Sequence, residues 1–337
     1  MKNKWEVREI PKDAKVARVF SPSNIALAKY WGKRDTELNL PTNGSLSATL
    51  QDYGSFTTAA FSETYTKDTL VLNGEEQSGG KLEKVLVVLD EIRKLAKTNL
   101  KCLIQSENNF PTGAGLASSA SGLSAVTFAA ANALGVASDI KKLSEIARKG
   151  SGSACRSLFG GYAEWSKGTK TDGTDSIAHQ VFPETHWPLD VLLVLVNQNE
   201  KHQASTGGME ITRKTSPYFP AWIEAAEKSL NPIRDAISKK DFHKLAEEAE
   251  VNCIRFHTSA MAANPPIIYW QGRTLDLVHE VKALRASGLK CFFTIDAGPN
   301  VCVFCDPKDT AEVEAEISKM SGVKILRTKV GAGARLL

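Results

Sequence analysis

The chain has 337 residues, of which 42% are hydrophobic and 24% charged, with a formal net charge of +4. That length suits two compact lobes, and the composition is that of a globular protein able to bury a sizeable core. The small, evenly spread charge argues against a dedicated nucleic-acid binder, as do aromatics that make up only 7% and are not interleaved with basic runs.

In chain order, the N-terminal MKNKWEVREIPKDAKVARVF mixes charge with apolar residues and lacks the apolar stretch of a secretory signal. No window approaches the roughly 18–20 apolar residues of a membrane span. Arg18–Phe20 and Ser55–Ala60 read as extended, and Thr69–Asn73 with Gly74 as a strand entering a turn. Lys81–Lys97 carries Leu82, Val85, Leu86, Leu89, Ile92 and Leu95 at helical spacing. Leu100–Gln105 is a short strand. Ser118–Leu134, rich in small residues, predicts a closely packed helix stopped at Gly135, and Ile140–Arg148 a second. The segment HWPLD (residues 186–190) breaks the pattern before the apolar strand Val191–Val196, which places a domain boundary between residues 188 and 189. The second half predicts helices at Ala221–Ser238, Asp241–Ala262 and Thr274–Ser287, and strands at Cys291–Asp296, Val301–Cys305 and Val323–Lys329. This order of elements predicts an α+β sandwich of two lobes, 1–188 and 189–337, with a cleft between them. Of the six cysteines only Cys302 and Cys305 have a suggestive spacing. They lie in an apolar strand without a second pair, so buried thiols in a reducing, cytoplasmic setting are expected.

Four segments carry chemistry. In FPTGAGLASSASG (residues 110–122), Gly113 and Gly115 allow backbone to approach a ligand, and Ser118 and Ser119 open a helix whose first N–H groups lack intrahelical partners. Such a site suits a nucleotide's phosphates, although a serine-capped helix after a glycine turn would read the same way. Lys149–Arg156, KGSGSACR, gathers hydroxyl and N–H donors beside a guanidinium fork that fits phosphate or carboxylate, or else a plain connecting loop. NIALAKYWGKRD (residues 24–35) sets Lys29, Lys33 and Arg34 beside Tyr30 and Trp31; one of these lysines could meet a phosphate, or simply snorkel. TIDAGPN (residues 294–300) puts Asp296 at a strand end, as a general base or as a turn cap.

Taken together these segments resemble the GHMP kinases, and within them NIALAKYWGKRDTELNLPTNGSLSATL, SENNFPTGAGLASSASG, IARKGSGSACRSLFGGYAEW and TIDAGPNVCVF resemble the diphosphomevalonate decarboxylases. The likeness runs from about Ser21 to about Phe304. It implies a two-lobed GHMP fold, with a ribosomal protein S5 domain 2-like first lobe, an α/β-sandwich second lobe and the active site in the cleft. It also implies ATP-dependent decarboxylation of (R)-5-diphosphomevalonate, in which the 3-hydroxyl is phosphorylated and phosphate and CO2 leave to give isopentenyl diphosphate. On this resemblance Asp296 accepts or orients the hydroxyl proton, Lys29 supports the phosphoryl group and Asp296, and Arg156 holds the substrate carboxylate. Substrate contacts fall to Asn24, Tyr30, Trp31, Gly32, Lys33, Ser151, Gly152, Ser153, Ala154, Cys155, Ser205 and Thr206. Asn108, Pro111, Gly113, Ala114, Gly115, Leu116, Ala117, Ser118 and Ser119 would line the nucleotide. Mg²⁺ would be held by phosphate oxygens and water, with no protein metal cage. The resemblance further implies a homodimer, and from composition and hydropathy neither a nucleic-acid nor a membrane partner is expected.

Two departures stand out. Gly113 and Ser121 replace the family's usual alanines, and Lys84 is the nearest match to a diphosphate-facing arginine, offering a point charge where a fork is usual. A sister decarboxylase or kinase acting on mevalonate or its 5-phosphate would share Asp296, Lys29 and Arg156. A paralogue without catalysis would be expected to have lost one of them.

Overall fold

The computed structural model describes residues 4–110, 118–196 and 204–337. The first half contains β1 (Lys15–Ala28), β2 (Lys33–Asp35), β3 (Leu40–Pro41), β4 (Ser45–Ser62), β5 (Thr69–Leu72) and β6 (Glu75–Gln77). Then follow α1 (Gly80–Ala96), β7 (Lys101–Asn108), α2 (Ser118–Ala133), α3 (Ile140–Gly150), a 3₁₀ turn at Gly152–Cys155, β8 (Tyr162–Trp165) and β9 (Ala178–Phe182). The second half runs β10 (Asp190–Leu195), α4 (Ser205–Thr215), α5 (Phe219–Lys239), α6 (Phe242–Met261) and α7 (Gly272–Ala286). It ends with β11 (Cys291–Thr294), β12 (Val301–Cys305), α8 (Thr310–Ser318), β13 (Lys324–Lys329) and β14 (Arg335–Leu336).

The first sheet is built on two long antiparallel strands, β1 and β4. The second half of β4 pairs with β7 and the first half with β8, so one strand serves two arms of the sheet. Register shifts in β1 between Pro22 and Asn24, and between Ala26 and Ala28, bend the pair. At the bend a Cβ on Gly54 would lie 2.3 Å from the Ser21 carbonyl oxygen, so only glycine fits. Both strands are much longer than Arg18–Phe20 and Ser55–Ala60. Every residue of β1 from Val19 to Ala28 is buried, the polar ones included, so no alternation marks its length. The expected helices lie within about two residues of their observed limits, as end fraying allows. Strands β2, β3, β6, β8, β9 and β14 and helices α4 and α8 were not anticipated by the patterning.

Helices α1, α2 and α3 cover one face of this sheet, through Val88, Leu89, Ile92, Ala125, Ala129, Leu143 and Ile146. Small side chains let α2 sit close to it, where Ser124 receives a 2.8 Å hydrogen bond from Ser21 and Ser121 lies 2.8 Å from the Ser55 hydroxyl. The second sheet has the order β11-β12-β10-β13 and is antiparallel throughout. Successive residues of β10 face opposite ways. Val191, Leu193 and Leu195 enter a core shared with Ile25, Leu27 and Leu46 of the first sheet, whereas Leu192 and Val194 pack with Leu277 and Val281 of α7 and Ile317 of α8. Full burial of such a side chain contributes about 1.5–3 kcal/mol, so the shared core fixes the two lobes against one another. The chain end then returns: Gly331 N donates to Thr49 O at 2.9 Å, and β14 pairs with β1 in the first sheet. All six cysteines are free and buried, and no described helix is long and apolar enough to cross a membrane.

Candidate active site

β1 ends at Ala28, just past a register shift, and the next residue turns into the space between the lobes. The Lys29 side chain is buried and its ammonium donates to Asp296 Oδ1 at 2.5 Å and to Ala26 O at 2.8 Å. Its backbone is pinned from both sides, since Lys29 N donates to Asn252 Oδ1 on α6 and Asn43 Nδ2 donates to Lys29 O, each at 2.8 Å. Asp296 follows β11. The preceding Ile295 is tied to α6 through Cys253 Sγ, 3.2 Å from its N–H, and His257 Nε2, 3.1 Å from its carbonyl oxygen. The carboxylate is partly exposed, and Oδ2 has no hydrogen-bond partner among the described residues. The first lobe thus supplies the ammonium and the second the carboxylate.

Arg156 is arranged differently. It leaves the 3₁₀ turn buried and, among the described residues, bonds only neutral oxygens: Ser45 Oγ at 2.5 Å, Ser47 Oγ at 3.0 Å and Asn24 Oδ1 at 3.2 Å. Asn24 is itself oriented by Nδ2 donating to Ser157 Oγ and Ser153 O. No described carboxylate pairs with Arg156. Burial pushes its pKa down, opposed by the Cys155 thiol and the Asp296 carboxylate, so the two charged sites feel each other. A buried guanidinium with neutral partners is ready to accept an anion.

The wall next to Arg156 is formed by Tyr30 and Ser151–Cys155. The Tyr30 ring lies edge-on to Trp165 at 4.8 Å, and its buried hydroxyl has no partner among the described residues. A Cβ on Gly152 would meet Trp165 at 2.8 Å and Tyr30 at 2.9 Å, which explains glycine there. Burial raises the Tyr30 pKa and pushes the Cys155 thiol up to about 12. Ser153 and Ala154 lie in the same 3₁₀ turn, which Ser151 precedes without a side-chain capping bond. Gly32, at φ +120°, turns the chain where a Cβ would strike Phe219. The Trp31 ring packs against Phe256 at 4.6 Å, and its carbonyl oxygen accepts from the Trp222 indole N–H at 2.9 Å. Lys33 donates to Asn39 Oδ1 at 2.5 Å. Its pKa is lowered, first by burial and then by the Lys84 ammonium, which brings Lys84 of α1 into the same cationic field.

The remaining expected residues lie further out. Asn108 ends β7 and accepts from Ser55 Oγ at 2.6 Å, and Ser118 and Ser119 begin α2, with Ser119 exposed. Pro111, Gly113, Ala114, Gly115, Leu116 and Ala117 lie outside the described residues. Ser205 and Thr206 open α4 without a side-chain cap, and no bond joins them to Lys29, Arg156 or Asp296. Helix α4 meets the Tyr30–Lys33 segment through Gly208, where a Cβ would lie 2.6 Å from Tyr269 OH and 3.2 Å from Trp31.

Ser45, Ser47, Asn43 and Asn252 belong to the site and were not singled out in the sequence. Ser45 and Ser47 alternate along β4 and so share a face, a period-2 polar pattern that could have pointed to a common partner. Asn252 has no such local signal, being one polar residue on a helix.

The residues 21–178 match a family model for the diphosphomevalonate decarboxylase-like N-terminal domain, and 191–333 match one for the mevalonate 5-diphosphate decarboxylase C-terminal domain. Among curated proteins, the diphosphomevalonate decarboxylase of Candida albicans is 40% identical over 321 residues, covering 91% of this chain and 88% of its own. The human diphosphomevalonate decarboxylase is 41% identical over 321 residues, covering 88% and 78%. Among solved structures, mevalonate diphosphate decarboxylase from Staphylococcus aureus superposes with a TM-score of 0.90 at 34% identity, over 98% of this chain and 100% of its own. One described as MDDEF in complex with MVAPP, AMPPCP and magnesium gives 0.88 at 38% identity, over 96% and 98%. These structures share the two-lobed α+β GHMP fold expected from the sequence. The chain belongs to the diphosphomevalonate decarboxylase family.

Proposed function

We propose that this chain carries out the ATP-dependent decarboxylation of (R)-5-diphosphomevalonate to isopentenyl diphosphate, with release of ADP, phosphate and CO2. The observation that carries the reading is the pairing of two different charged sites in one cleft. Lys29 and Asp296 form one at 2.5 Å, and a buried Arg156 bonded only to neutral groups forms the other.

Asp296 faces the substrate's 3-hydroxyl and takes or orients its proton, while Lys29 fixes the carboxylate and offsets negative charge gathering at that oxygen. Arg156 grips the substrate carboxylate and keeps it aligned for carbon–carbon cleavage, with Asn24, Ser45 and Ser47 fixing the guanidinium plane. When bound, ATP and Mg²⁺ supply the phosphoryl group and neutralise its charge. The ion is assigned to phosphate oxygens and water. Asn108, Ser118, Ser119 and the segment 111–117 are assigned to the nucleotide. Tyr30, Trp31, Gly32, Lys33, Lys84, Ser151–Cys155, Ser205 and Thr206 are assigned to the substrate. The proposal extends to domains at 1–188 and 189–337 and to a cytoplasmic homodimer, which light scattering would check.

The direct test incubates the protein with ATP, Mg²⁺ and each of mevalonate, its 5-phosphate and its 5-diphosphate, and measures ADP and CO2. Both products from the diphosphate alone are expected. ADP without CO2 would make the protein a kinase, and preference for the 5-phosphate would make it the sister decarboxylase.

A further inference from the structure

Arg148 lies in the last turn of α3 and is completely buried. Among the described residues only Nη1 finds acceptors, donating to Gly173 O and Ser176 O at 2.7 Å each, while Nε and Nη2 have no partner there. No described carboxylate pairs with it. A dry, unpaired guanidinium is costly to keep, and helix packing alone would be served by an apolar side chain.

Its two acceptors show what it does. Gly173 and Ser176 form one turn, closed by Ser176 N donating to Gly173 O at 3.1 Å. Ser176 Oγ receives the Trp165 indole N–H at 3.1 Å. The Trp165 ring in turn limits Gly152, leaving no room for a Cβ, and meets the Tyr30 ring edge-on at 4.8 Å. The chain of contact runs from Arg148 through the 173–176 turn and Trp165 to Gly152 and Tyr30. None of these steps touches Lys29 or Asp296. The Arg148 charge is also close enough to lower the pKa values of Tyr30 and Cys155 against the effect of their burial.

We propose that Arg148 is a positioning residue for the diphosphate end of the site, setting the Ser151–Cys155 turn and Tyr30 through the 173–176 turn and Trp165. The inference rests on the functional reading above for the identity of the ligand. Its test uses Arg148→Gln, Arg148→Lys and Ser176→Ala in the full chain, with turnover kinetics and calorimetric binding of inorganic pyrophosphate. In Arg148→Gln the KM for the 5-diphosphate should rise about tenfold with kcat within about threefold, and the KM for ATP should not change. Pyrophosphate binding should weaken by a similar factor, and Arg148→Lys should recover part of both losses. Ser176→Ala, which leaves Arg148 in place and removes only the hydroxyl under Trp165, should raise KM about threefold.

Unchanged KM and pyrophosphate affinity in a folded Arg148→Gln protein would overturn the inference. So would an equal loss for ATP and substrate, the mark of general destabilisation. Where the Arg148 variants do not fold, Ser176→Ala decides alone, and an unchanged KM and pyrophosphate affinity there overturn the inference. Absence of decarboxylation by the unaltered protein would instead count against the functional reading, and pyrophosphate binding still reports on Arg148.

Discussion

The two ends of the cleft solve the problem of a buried cation in opposite ways. Lys29 is matched by Asp296 across the lobes, so its charge is compensated before any ligand arrives. Arg156 is surrounded by Ser45, Ser47 and Asn24, which satisfy its N–H groups without cancelling its charge. The first arrangement holds a reactive carboxylate at a fixed place. The second keeps an unspent positive charge in a dry setting, where it attracts an anion more strongly than an exposed arginine would. In the proposed reaction the first end handles the proton and the second grips the substrate carboxylate.

The largest effect should come from breaking the compensated end. Asp296→Asn is expected to lower kcat by about three orders of magnitude or more with KM within a few fold, because its role is exercised in the transition state. Near-normal turnover would remove Asp296 from the mechanism. Arg156→Lys should cost about a hundredfold in kcat/KM, since a point charge cannot replace the fork. If it still decarboxylates normally, another cation holds the carboxylate. Asn24→Asp tests the comparison itself by placing a carboxylate against Arg156. It should raise the substrate KM about tenfold while leaving ATP binding intact, and an unchanged KM would mean that the free charge of Arg156 is not what binds.

The smallest effect concerns pH. The Lys33 pKa is lowered from 10.5, chiefly by burial and then by Lys84. A lysine with a lowered pKa carries its charge below that value and loses it at a lower pH than usual. The substrate KM should therefore rise with pH in the window below 10.5, and Lys33→Met should remove that slope while raising KM throughout. A slope that survives in Lys33→Met would assign it to another group.

Much of this site was legible before the fold was known. Arg156, Lys29 and Asp296 sit in segments whose glycines, hydroxyls and basic residues have few uses together, and the family likeness of those segments gave each a role. The segment 110–122 carried the nucleotide reading, and among the described residues its helix covers Ser118–Ala133. The partners were less visible. Ser45 and Ser47 lie on the unforeseen half of β4, whose strand pattern is hidden by burial on both faces. Asn252 pins Lys29 from more than two hundred residues away, a distance no local pattern spans. Arg148 reads as one more basic residue near a helix end, and only its burial and its bonds to the 173–176 turn set it apart.

The chemical inventory, the helices with a periodic apolar face, and the family could be read from the chain alone, because these depend on residue type and short-range spacing. Tertiary structure alone decided that Lys29 is compensated while Arg156 is not. That distinction depends on which polar groups share a desolvated space, and β4, α6 and the turn after β11 meet there only once the shared core has closed.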